Sequence, residues 1–161
     1  MIYSRPLDLS IDEMLHELIE AIDVTKASRV VIDSLSGFEL ALAPTFRTDF
    51  RESLHRMVMR LTGAGVTVLM TSELEDRFID LRLSPHGVAF LTDAIIMQRY
   101  VELEGRLQRV MGVVKVRGSR HSTELRRYDV TREGLRIGGV IDGYGGLLSG
   151  HPSQSVAKPP S

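Results

Sequence analysis

In the stretch VVKVRGSRH, residues 113–121, a polar side chain recurs at every second position: Lys115, Arg117, Ser119 and His121. Alternate side chains of an extended chain share a side. These four would then stand in one row, with Val114, Val116 and Gly118 turned the other way. An ammonium, a guanidinium, a hydroxyl and an imidazole in line are hydrogen-bond donors that could be aimed at an anion. The same alternation also describes the solvated face of an ordinary strand, and the residues by themselves leave both readings open.

A second group surrounds Asp33, which follows the apolar run Val30-Val31-Ile32 and precedes Ser34 and Ser36. A carboxylate at the C-terminal end of a buried parallel strand lies where α/β sheets bind ligands. Apolar residues closed by Asp also have the form of a Walker B segment, whose carboxylate helps to hold Mg²⁺. A plain helix N-cap is the alternative for the same residue. The partner motif of a Walker B segment is G-x-x-x-x-G-K-[ST], which wraps phosphates in backbone N–H groups and a lysine. None of the fourteen glycines is followed by Lys, so these 161 residues contain no standard phosphate cradle. The five histidines, His16, His55, His86, His121 and His151, show no i, i+4 pairing for a metal. The hydrolase elbow G-x-S-x-G is absent. Met57, Met59, Met70, Met97 and Met111 lie in apolar segments and read as core filler.

The elements that must position these groups follow from periodicity. Ser10 with Glu13 forms a capping box ahead of a helix whose stripe is Met14, Leu15, Leu18, Ile19 and Ile22. Residues 29–34 read as a β-branched strand of the kind buried in a parallel sheet. A second helix is expected from Thr48 to Leu61, with Phe50, Leu54, Met57, Val58 and Leu61 inward and Gly63 and Gly65 ending it. The apolar run of residues 66–72 completes a right-handed βαβ unit. Residues 73–92, with Pro85 and Gly87, read as a loop. Residues 93–103, 107–118, 124–131 and 135–139 then read as strands joined by turns at Glu104-Gly105 and Glu133-Gly134. Residues 1–141 are thus expected to form one domain, an α/β half passing into an antiparallel extension. From Asp142 onward Gly, Ser and Pro dominate, which predicts a flexible tail over 142–161.

Composition sets the outer bounds. The chain is of single-domain length, with 43% hydrophobic and 25% charged residues. It has no cysteine, so disulfides and thiolate metal sites are ruled out. The N-terminal residues lack a signal-peptide profile, and no apolar run approaches the roughly 20 residues of a membrane span. The expectation is a cytoplasmic protein with no membrane partner. A net charge of −1 argues against a nucleic-acid coat protein. Yet residues 105–138 carry nine Lys or Arg against three Asp or Glu.

The segments VVIDSLSGFEL, VTVLMTSE, LTDAIIMQRYVELEGRL, KVRGSRH and YDVTREGLRIG resemble the KaiC family, a branch of the RecA-like ATPases, over residues 2–138. The K-x-R-G-S-x-H segment is the most specific to that family. The resemblance implies an α/β fold, a RecA-like parallel sheet flanked by helices, here missing the P-loop strand and followed by a C-terminal antiparallel extension. It implies ATP and Mg²⁺ as cofactors, with ATP lying between subunits. Asp33 would match the Walker B carboxylate, reaching Mg²⁺ through water, with Ser34 beside it. Thr71 and Ser72 would stand where related ATPases sense the γ-phosphate. Lys115 and Arg117 would reach a neighbour's γ-phosphate, with Ser119 and His121 nearer the sugar and base. The implied partner is another copy in a homo-oligomer, or a P-loop-bearing KaiC-like protein.

Departures from the family pattern shape the function expected. The family's first strand, P-loop, following helix and paired catalytic glutamates have no counterpart here, so ATP hydrolysis by this chain alone is not expected. Ala89 and Phe90 occupy the positions of the clock protein's Ser-Thr phosphorylation pair, and Arg132 with Glu133 occupies the ribose-facing acidic slot. Loss of the P-loop strand would leave two unpaired sheet edges. Those edges would close on each other or be filled by a partner, unless the chain is a piece of a longer protein. Besides the incomplete ATPase module, two further readings remain: a non-catalytic signalling and oligomerisation module, and, with least support, a DNA-binding RecA relative.

Overall fold

The computed structural model describes residues 11–37, 50–73, 88–148 and 152–154. Ser10, Thr48 and the stretch with Pro85, His86 and Gly87 lie outside them. The chain divides into two compact units, residues 1–75 with 86–91 and residues 76–85 with 92–161. No helix among the described residues is long and apolar enough to cross a membrane.

In the first unit, α1 spans Ile11–Thr25 and carries Asp12 and Glu13 in its first turn, where the helix dipole favours acids. It stops at Lys26, which adopts φ 52°, and Ala27 N–H bonds back to the Ile22 carbonyl at 3.2 Å. β1 covers Arg29–Ile32, α2 Phe50–Gly63 and β2 Thr67–Met70. Gly65, at φ 78°, turns the chain between α2 and β2. β1 and β2 pair in parallel from Arg29↔Thr67 to Ile32↔Met70. The expected inward set of α2 is buried in full: Phe50, Leu54, Met57, Val58 and Leu61. With Leu15, Val30, Leu35 and Val66 they form the core, against which Ile32, Val68 and Met70 pack. The opposite face of the two strands is open, with Val31 63% and Leu69 59% exposed. Residues of both helices pack on the core face.

In the second unit, β3 (Ala94–Leu103), β4 (Arg106–Val116), β5 (Arg126–Thr131) and β6 (Gly134–Val140) form an antiparallel sheet in chain order. Glu104 and Gly105, both at positive φ, make the two-residue turn between β3 and β4. A bulge shifts the register so that Ile95 faces Lys115 and Ile96 faces Val113. One face carries the core of Val101, Leu103, Val110, Ile141 and Leu147. Among the described residues β2 pairs only with β1 and β3 only with β4.

Of the segment read as a flexible tail, residues 142–148 and 152–154 are described. β7 (Tyr144–Gly145) pairs with β8 (Ser153–Gln154), and Leu147 is buried. The Tyr144 hydroxyl donates to Glu104 Oε1 at 2.7 Å, a bond that raises its pKa above the ordinary phenol value. Arg99 donates to the Leu148 carbonyl. Within residues 144–148, apolar and hydrogen-bonding groups thus hold the chain to β3 and the hairpin turn after it.

Candidate functional site

The sequence-derived residues fall into two groups, one in each unit. In the first, parallel register places the residues that follow Ile32 and Met70 side by side at the C-terminal ends of β1 and β2. Thr71 N–H bonds to the Ile32 carbonyl at 3.0 Å, and Leu35 N–H to the Thr71 carbonyl at 2.9 Å. The Thr71 hydroxyl donates to Asp33 Oδ1 at 2.5 Å. The helix-cap alternative for Asp33 is taken by its neighbour: Gly37 N–H bonds to Ser34 Oγ at 3.3 Å, where a helical turn begins at residues 35–37. Asp33, Thr71 and Ser72 are exposed and Ser34 is half-buried. A carboxylate thus sits at the open end of a parallel strand pair, steered by a threonine hydroxyl.

Thr71→Val keeps the side-chain shape and removes the donor. We expect it to lower the free energy of unfolding by about 0.5–1.5 kcal/mol, read as a reduced midpoint in urea with an unchanged slope.

In the second unit, β4 ends at Val116 and its pairing runs one residue further, Arg117 N–H bonding to the Asp93 carbonyl at 2.7 Å. Lys115 Nζ donates to the Thr92 carbonyl at 2.7 Å. The Arg117 guanidinium lies 3.3 Å from Asp93 Oδ1, with side chains 58% and 81% exposed respectively. Gly118, at φ 73°, then turns the chain. The alternation expected to run from 115 to 121 therefore holds for Lys115 and Arg117 and breaks at Gly118. Ser119, exposed, and His121, half-buried, lie beyond that turn and off the strand.

Thr92 and Asp93 are the site residues that sequence reasoning missed. Together they receive both cations, one on a backbone carbonyl and one on a carboxylate. The ion pair at Arg117 is open to water, where such pairs are worth about 0–1 kcal/mol.

The remaining sequence-derived positions are placed as follows. Ala89 and Phe90 lie in a 3₁₀ turn, Val88–Phe90, with the Phe90 ring 6.0 Å from that of His55. Arg132 and Glu133 are exposed in the β5–β6 turn, Glu133 lying 4.0 Å from Arg136.

The donor set suits Mg²⁺ held by one carboxylate and a nucleotide's own phosphates, since Mg²⁺ takes few protein ligands and keeps its waters. It does not suit a metal caged by protein alone: the described residues contain no cluster of three or more His, Cys, Asp or Glu.

A family model described as "ATPase: KaiC" matches residues 5–140. The circadian clock protein KaiC3 of Synechocystis is 29% identical over 147 residues, 91% of this chain and 28% of that protein. The circadian clock oscillator protein KaiC of Rippkaea orientalis is 29% identical over 158 residues, 96% of this chain and 29% of that protein. The chain thus spans under a third of the length of these curated relatives. The crystal structure of a KaiC-like protein from the archaeon Pyrococcus horikoshii superposes with a TM-score of 0.69 at 26% identity, covering 80% of this chain and 54% of that one. The match extends over strand, Asp33 segment and cationic strand alike, and on it the fold is RecA-like and the chain belongs to the KaiC family of ATPase domains.

Proposed function

We propose that this chain supplies part of a composite ATP site and completes it with a phosphate cradle on another subunit, either a second copy in a homo-oligomer or a P-loop-bearing KaiC-like partner. The observation that carries this reading is the pair Lys115 and Arg117, set side by side at the end of β4 with the guanidinium open to solvent. In this role both cations lie against the γ-phosphate of the partner's nucleotide. They neutralise charge as water attacks phosphorus and the bond to the ADP oxygen breaks. Separately, in the first unit, Asp33 steered by Thr71 would hold Mg²⁺ through water for a nucleotide bound at those strand ends, with Ser34 and Ser72 bordering it. Ser119 and His121 face the sugar and base. Place of action is the cytoplasm.

The test is the turnover of the purified chain alone. With no G-x-x-x-x-G-K-[ST] in its sequence, phosphate release from ATP is expected to stay at background. Robust hydrolysis would overturn the composite-site reading. Weak ATP binding that rises on oligomerisation supports it. Oligomers wholly indifferent to nucleotide would instead favour a non-catalytic module.

A further inference from the structure

Lys115 and Arg117 are held in different ways, and the difference falls on Asp93. Lys115 Nζ donates to a neutral acceptor, the Thr92 carbonyl, a bond that brings it no opposite charge. Arg117 meets Asp93 through both main chain and side chain. Its N–H bonds to the Asp93 carbonyl at 2.7 Å, and its Nη1 lies 3.3 Å from Asp93 Oδ1. The first contact extends the β3–β4 pairing by one residue and involves no side chain. The second sets a carboxylate on the guanidinium, with both side chains more than half exposed.

A carboxylate and a phosphate ask the same of a guanidinium: negative charge and oxygens that fit its donor fork. A phosphate arriving at Arg117 therefore meets a like charge already seated there, and close like charges weaken binding.

We propose that Asp93 is a competing internal anion. Its side chain occupies Arg117 until a polyphosphate displaces it, while its main chain keeps the end of β4 in place. This rests on the reading of Lys115 and Arg117 as phosphate ligands, and it makes Asp93 the residue that sets how strongly charged an anion must be to take them. At the strength of an exposed pair, displacement costs at most about fivefold in affinity. An anion of low charge gains little over the carboxylate already present. The terminal phosphate of a nucleoside triphosphate, drawn by Lys115 as well, displaces it.

The test is an NMR titration of the full chain with inorganic tripolyphosphate, so that neither a partner subunit nor hydrolysis enters. The Arg117 guanidinium resonance should shift saturably, and the Asp93 carboxyl carbon should move along the same curve as it is released. Asp93→Asn keeps the shape and the main-chain bond and removes the charge, so half-saturation should come at a concentration about two- to fivefold lower. Glu102→Gln makes the same change in net charge on an exposed residue at the far end of β3, about 30 Å away at ordinary strand rise. At about 0.15 M salt, charges are screened over about 8 Å, so this variant should titrate like the unsubstituted chain. Equal half-saturation with and without the Asp93 charge overturns the proposal alone, and so does a shift at Arg117 with none at Asp93. Equal tightening by Glu102→Gln overturns it in favour of net charge. No Arg117 shift in any of these chains overturns it together with the reading on which it rests.

Discussion

Arg117→Ala is expected to cut ATP turnover about 10³- to 10⁵-fold in an assembly where this chain faces a subunit carrying the phosphate cradle. The guanidinium is the one cation of the pair that can meet two phosphate oxygens at once, through its planar fork. It is also the more accessible, bonded through its side chain to an exposed Asp93, while Lys115 is held on a backbone carbonyl. Arg117→Lys should recover little, because an ammonium restores the charge without the fork. The measurement is phosphate release at saturating ATP, with nucleotide affinity of the partner followed in parallel. Equal turnover with and without Arg117 would remove the chain from the site. A loss confined to affinity would make the residue a ground-state contact.

Leu61→Ala should cost about 2–5 kcal/mol of folding free energy. Leu61 is fully buried in the core of the first unit, in the same cluster as Leu54, Met57 and Val66. It sits where α2 gives way to β2, and its carbonyl accepts the Val66 N–H at 3.1 Å. Whole-domain stabilities run to about 5–15 kcal/mol, so this single truncation consumes a large fraction of the total. Calorimetry should show the transition of this unit moving down by many degrees. A shift as small as that of a surface substitution would mean that the packing around α2 is looser than its complete burial indicates.

Much of this architecture is legible in the residues because two periods carry it. The 3.6-residue spacing of Phe50, Leu54, Met57, Val58 and Leu61 fixes which side of α2 turns inward, and all five are buried. The Glu104-Gly105 pair fixes the β3–β4 hairpin, because both residues take positive φ. Asp33 and Thr71 were readable as strand-end residues, and parallel register brings them into contact.

What was not legible depends on register errors of one residue. Counting outward from Glu104-Gly105 sets residue 93 opposite 116; the bulge between Ile95 and Ile96 moves it to 117. The meeting of Asp93 with Arg117 was therefore hidden behind a local irregularity that periodicity does not encode. Gly118 misled in the same way. A glycine is compatible with an extended row, and only its positive φ ends that row. An apolar run such as that of β1 or β2 does not say whether one side or two will be covered.

The anchoring of residues 142–148 also bears on where this polypeptide can be shortened. A cut after Ile141, the place composition recommends, would strip Leu147 from its seat beside Val101, Leu103 and Val110 and release the clasp between Tyr144 and Glu104. Hydrocarbon now dry would become wet, and the trimmed molecule would gain stickiness where its maker wanted tidiness.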